Sequence, residues 1–68
     1  MKFIEQRKLI SPSMTCVFYR HWFHYKKGNI LREIVVDIYS LGDPLTPKLA
    51  LEEATQSAIK QWKKDMVA

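Results

Sequence analysis

The sequence predicts an α+β domain: a three-stranded antiparallel sheet in the order 1-2-3, a β-meander, with one C-terminal helix packed on one face (βββα). Two observations carry most of that expectation. Residues 16–39 form two strand-like arms around Lys27-Gly28-Asn29, and residues 47–66 carry an apolar stripe at helical spacing behind a Thr-Pro start signal. A third, the Ser11-Pro12-Ser13 break, folds residues 2–10 back beside the first arm.

Taken in order, Lys2–Ile10 is the hardest segment to read. Its apolar positions 3, 4, 9 and 10 fit neither a two-residue nor a 3.6-residue period. The turn-forming break that follows favours an edge strand, and Arg7 and Lys8 suit an edge because charged side chains discourage pairing with other chains. Its register is left open.

The hairpin spans residues 15–40. Gly28-Asn29 supplies residues that tolerate the positive φ of a tight turn, and taking them as the turn pair fixes the opposite partners. Lys27 meets Ile30, Tyr25 meets Arg32, His24 meets Glu33 and Phe23 meets Ile34. Trp22 then meets Val35, His21 meets Val36, Arg20 meets Asp37, Tyr19 meets Ile38 and Phe18 meets Tyr39. Side chains alternate along each strand, so this register sorts the faces. Val17, Tyr19, His21 and Phe23 with Ile34, Val36 and Ile38 make a core face. Phe18, Arg20, Trp22, His24 and Lys26 with Tyr39, Asp37, Val35, Glu33 and Leu31 make an outer one. Arg20 faces Asp37 and His24 faces Glu33 there, and each such cross-strand pair contributes roughly 0.2–1 kcal/mol.

After a loop at residues 40–46, Thr46 is a favoured N-cap and Pro47 a favoured first helical residue. Ala50, Leu51, Ala54, Ala58, Trp62 and Met66 fall on one stripe, with Glu52, Gln56, Lys60 and Lys63 opposite. Lys60, Lys63 and Lys64 complement the partial negative charge of the helix C-terminus. The small residues Ala54 and Ala58 allow close approach to the core face.

Sixty-eight residues with 47% hydrophobic content make one folded domain, residues 1–68, near the size at which a single core is only marginally sufficient. One cysteine forms no internal disulfide, no run resembles a signal peptide, and no stretch approaches membrane-spanning length. A soluble cytoplasmic protein that does not enter a membrane is expected. The net charge of +4 is uneven: residues 1–30 hold six Lys or Arg against one Glu, whereas residues 31–46 hold one Arg against three acids.

Chemistry is sparse. His21 and His24 lie three apart on a strand and point to opposite faces, so they cannot share a metal ion. Cys16 and His24 share a face but are separated by about 26 Å of strand. With no triad, paired carboxylates or glycine-rich phosphate loop, no enzymatic activity, cofactor or metal is expected. His21 reads as a packed core imidazole with a hydrogen-bond partner, His24 as a surface partner of Glu33, and Cys16 as a small, partly buried hydrophobe.

Leu51-Glu52-Glu53-Ala54 with Ala58-Ile59, after a strand and a Gly-Asp loop, is similar over about 20 residues to the closing strand-helix unit of HicB-type antitoxins and double-stranded RNA-binding domains. Only Lys48 stands where RNA-binding domains of that kind carry paired basic residues. In size, solitary cysteine and lack of catalytic motifs the chain also resembles short accessory proteins of phages and other mobile elements, many of which bind and inhibit a host protein.

The expectation is a small non-enzymatic protein-binding module, acting as a homodimer, an inhibitor or both, through Phe18, Arg20, Trp22, Lys26 and Tyr39. Trp, Tyr and Arg are enriched at binding hot spots. The alternative is single-stranded nucleic-acid or RNA binding through Arg7, Lys8, Arg20, Trp22, Lys26, Lys27 and Arg32, with rings stacking bases and cations holding phosphates.

Overall fold

β-Branched and aromatic alternation organises β2 (Val17–Lys27) and β3 (Ile30–Tyr39), beside which β1 (Lys2–Ile10) pairs as a third strand, and the 3.6-residue stripe organises one helix, α1 (Pro47–Val67). The computed structural model describes residues 1–13, 16–40 and 44–67. The strands form one antiparallel sheet in the order β1-β2-β3, and α1 packs across β3 and β2. This is the expected βββα architecture. Residues 41–43, within the loop expected at residues 40–46, lie outside the described residues.

The β2/β3 register matches the sequence expectation at every pair from Lys27↔Ile30 to Phe18↔Tyr39. Gly28 holds φ at 63°, and the space where its Cβ would point is open, so the residue serves the backbone conformation rather than a close contact. At the other end of β2, the Ser11 N–H donates to the Cys16 carbonyl at 2.9 Å and closes the β1–β2 connection.

β1 pairs with β2 through a β-bulge: Phe3 opposes Phe23 but Glu5 opposes Trp22, leaving Ile4 as the extra residue. The bulge accounts for the irregular pattern of residues 3–10. Before it, Phe3 lies on the helix side, where its ring sits 5.6 Å from Phe23. After it, the phase inverts, so Gln6, Lys8 and Ile10 take the helix side and Glu5, Arg7 and Leu9 the outer side.

Thr46 caps α1, its Oγ1 accepting the Leu49 N–H at 3.2 Å. Ala50, Ala54 and Ala58 are fully buried, the latter two clustered with Phe23, Tyr25, Ile34 and Val36, with Ile38, Leu51 and Trp62 packed around that cluster. Three alanines a turn apart present almost no side-chain bulk, so the helix backbone settles close to the sheet while Leu51 and Trp62 fill its flank. Met66, the last member of the predicted stripe, is exposed instead, since the final turn has run past the core.

His21 is fully buried at the centre of the helix-side face. Its Nδ1 lies 3.1 Å from the Val36 carbonyl oxygen, which can only accept, so Nδ1 carries the proton. Its Nε2 therefore accepts, and the Gln6 amide donates to it at 3.0 Å while its second hydrogen goes to the Pro47 carbonyl at 2.7 Å. One side-chain amide thus joins the edge strand, the sheet centre and the first turn of the helix.

Candidate functional site

α1 covers one side of the sheet, and no described element covers the other. β1 lies beside β2 rather than across it, so the N-terminal segment does not shield the outer face. Residues 40 and 44–46 complete the connection toward α1 as far as it is described.

The rows of the outer face follow from the two registers. Lys2, His24 and Glu33 form one row, Glu5, Trp22 and Val35 the next, then Arg7, Arg20 and Asp37, then Leu9, Phe18 and Tyr39. Directly opposed, Arg7 and Arg20 would repel, and each guanidinium turns to a carboxylate. Arg20 forms a two-pronged pair with Asp37 at 2.8 and 3.0 Å, while Arg7 pairs with Glu5 in the adjacent row. Each also covers a ring, Arg7 standing 5.7 Å from the Trp22 ring centre and Arg20 5.5 Å from that of Phe18. The Asp37 hydrogen bond, and then its charge, raises the Arg20 pKa beyond its ordinary value and holds the cation. His24 Nε2 meets Glu33 at 2.8 Å.

The predicted contact residues divide by exposure. Tyr39 is 42% exposed and stacks at 4.9 Å on Phe18, which is only 7% exposed. Phe18 therefore underlies the face, roofed by Tyr39 and Arg20. Trp22 and Arg20 are half-buried and Lys26 is exposed. Val35 and Leu31, not among the expected contacts, add exposed apolar surface on the same side. Their signal was present in the register, since they oppose Trp22 and Lys26.

The residues proposed for nucleic acid do not converge. Arg7, Arg20, Trp22 and Lys26 lie on the outer face, but Lys8, Lys27 and Arg32 belong to the helix-side set. There Lys27 Nζ donates to the Asp65 carbonyl at 2.7 Å and to its carboxylate at 3.2 Å, and Arg32 approaches the same carboxylate at 3.7 Å. Tyr25 O–H donates to Asp65 at 2.5 Å. That hydrogen bond lowers the Asp65 pKa, with the Lys27 bond and the two cationic charges adding to it, and the same bond raises the Tyr25 pKa. Sequence reading missed this cluster because Asp65 sits 40 residues from Tyr25.

Comparison with known protein families, with characterised proteins and with solved structures returned no match. The reading of the face rests on its own geometry. No group of three or more metal-ligating side chains converges among the described residues, and no helix there is long and apolar enough to cross a membrane.

Proposed function

We propose that this chain is a small non-enzymatic protein-binding module whose outer sheet face docks on another protein. Arg20, Trp22, Lys26 and Tyr39 make contact, with Val35 beside Trp22 and Phe18 as the support beneath Tyr39. The observation that carries the reading is an uncovered sheet face centred on a half-buried tryptophan, whose charges are largely neutralised within the face itself. A phosphate backbone needs free cations. Of the seven residues of the nucleic-acid alternative, Arg7, Arg20, Lys27 and Arg32 each lie against a carboxylate, and Lys8 lies on the other side of the sheet. Paired charges around an aromatic centre suit a protein partner, for which complementarity fixes orientation more than it adds affinity. A module of this size acts by occupying a partner's surface, and an inhibitor of the kind found among phage and mobile-element accessory proteins is one form that takes.

The test is capture by a photo-crosslinking residue at position 26, compared between the wild type and Trp22→Ala, with unfolding curves for both. The expected result is a discrete protein adduct that the wild type forms and the folded variant loses, with affinity reduced at least about 30-fold, as truncation of a hot spot costing 2 kcal/mol implies. If Trp22→Ala unfolds the chain, the residue is core and the reading fails. Tight binding of a mixed-sequence oligonucleotide that weakens steeply with salt would replace it with the nucleic-acid alternative.

A further inference from the structure

The two edges of the sheet are unequal. β1 carries the devices that blunt an edge: a bulge at Ile4 and the charged side chains of Lys2, Arg7 and Lys8. β3, ten residues long, has no bulge, proline or lysine and pairs to β2 without a register shift, and its three charged side chains are already engaged within the chain, Arg32 with Asp65, Glu33 with His24 and Asp37 with Arg20. Its outward backbone groups have no backbone partner among the described residues. Which groups those are follows from the turn. In a two-residue hairpin the flanking pair Lys27–Ile30 exchanges both hydrogen bonds, and alternation then directs Arg32, Ile34, Val36 and Ile38 toward β2. The N–H and C=O groups of Leu31, Glu33, Val35, Asp37 and Tyr39 point away from the sheet.

We infer that β3 pairs with β3 of a second copy of this chain, antiparallel about a two-fold axis through Val35, to give a continuous six-stranded sheet with both helices on one side. A two-fold axis normal to a sheet opposes residues of one face, and about Val35 the opposed residues of β3 match in character except where Arg32 opposes Ile38. Leu31 opposes Tyr39 and Val35 opposes itself, three outer-face residues that are 62%, 42% and 45% exposed in the single chain. On the helix side Ile34 opposes Val36. The row that sets Glu33 opposite Asp37 of the second copy has a partner for each carboxylate, His24 Nε2 at 2.8 Å from Glu33 and the Arg20 guanidinium on Asp37.

The helices fit the same axis. Because α1 lies over both β2 and β3, its axis projects between them, and strands spaced about 4.8 Å apart then set the two helices roughly 10 Å apart, at the upper end of ordinary helix packing. The helix row Glu53, Ser57, Lys60, Lys64 begins beside Tyr39 and Ser40, where Glu53 lines a groove of about 400 Å³. At the other end Asp65 lies beside Arg32. Val35 falls midway between these two ends, so the axis passes between the two helices at the level of Ile59 and brings Glu53 near Lys64 of the second copy. The seam takes Leu31, Val35 and Tyr39 at the margin of the outer face, leaves Arg20, Trp22 and Lys26 uncovered, and sets two such faces side by side.

Light scattering and backbone hydrogen exchange on the full chain test the pairing. The expected mass is twice the 8.0 kDa of one chain, falling to one chain in Val35→Lys, which places two like charges on the axis at an exposed position. In the wild type the amides of Leu31, Glu33, Val35, Asp37 and Tyr39 are protected, and in the variant these five alone lose protection while those of Ile34, Val36 and Ile38 keep it. Should Val35→Lys lose its fold, Leu31→Lys, at a more exposed position, is read in the same way. A wild type of one-chain mass at every concentration overturns the inference, as does a double-mass species that survives in the folded lysine variant. Trp22→Ala separates this from the docking reading, because it keeps the double mass while losing the outer-face partner.

Discussion

Replacing Gln6 with Leu tests whether the amide linking three elements is a structural requirement. The substitution removes both hydrogen bonds but has unequal consequences at their two ends. The Pro47 carbonyl lies in the exposed first turn of α1 and can recover a water molecule. His21 Nε2 cannot, because the residue is fully buried, and its acceptor site is left without a donor. Stranding a buried polar group costs about 1–3 kcal/mol. At about 2 kcal/mol, and roughly 4–8 °C per kcal/mol for a domain of this length, the midpoint should fall by about 8–16 °C. Thermal and urea unfolding measure the loss. The double variant Gln6→Leu/His21→Phe removes donor and acceptor together and should recover about 1 kcal/mol relative to additive singles. The imidazole nitrogen NMR spectrum of the wild type at neutral pH should show Nδ1 protonated and Nε2 bare. A Gln6→Leu loss below about 0.5 kcal/mol, the range of ordinary surface substitutions, would refute the argument. So would the opposite tautomer.

Two further outcomes follow from the site geometry. Phe18→Ala should lower stability by about 3–5 kcal/mol as a core truncation, whereas Tyr39→Ala should stay within about 1 kcal/mol, and equal losses in urea unfolding would contradict their placement. For Asp65, the lowered folded pKa means that its contribution is present above the ordinary aspartate range and lost as pH falls through the folded value. For Tyr25, the raised folded pKa means that the contribution is present below the ordinary tyrosine range and lost as pH rises through the folded value. The stability gap between the wild type and Asp65→Asn should therefore be widest between those limits and close at both ends. Parallel pH profiles would show that the Tyr25–Asp65 bond contributes nothing.

Legibility in the sequence followed the range of the interactions. The hairpin could be read because one turn pair, Gly28-Asn29, fixes every opposing residue, and the pairing of Arg20 with Asp37 and of His24 with Glu33 supported that register independently. The helix could be read because Thr46-Pro47 and the alanine stripe are local signals. β1 could not, since a one-residue bulge inverts the side-chain phase in mid-strand and no local feature marks Ile4 as the extra residue. The Gln6–His21–Pro47 linkage was hidden for the same reason. Without the bulge, Gln6 would fall on the outer side of the sheet and His21 would lose its donor.

The candidate face was legible in membership but not in depth. Alternation assigns Phe18 and Tyr39 to the same side, yet only the stacked geometry makes one ring the floor and the other the surface. Placement also changes the weight of the charges. In the sequence, the six cations of residues 1–30 read as a field that attracts phosphate. In the fold, Arg7 and Arg20 meet carboxylates on the outer face, while Lys27 is drawn with Arg32 to Asp65 at the end of α1. Cations already held in this way offer a phosphate chain little that binding would not first have to break. Arg7 instead covers the Trp22 ring and Arg20 the Phe18 ring on which Tyr39 stacks, an ordering of the face within the single chain that lowers the cost of the docking proposed for it.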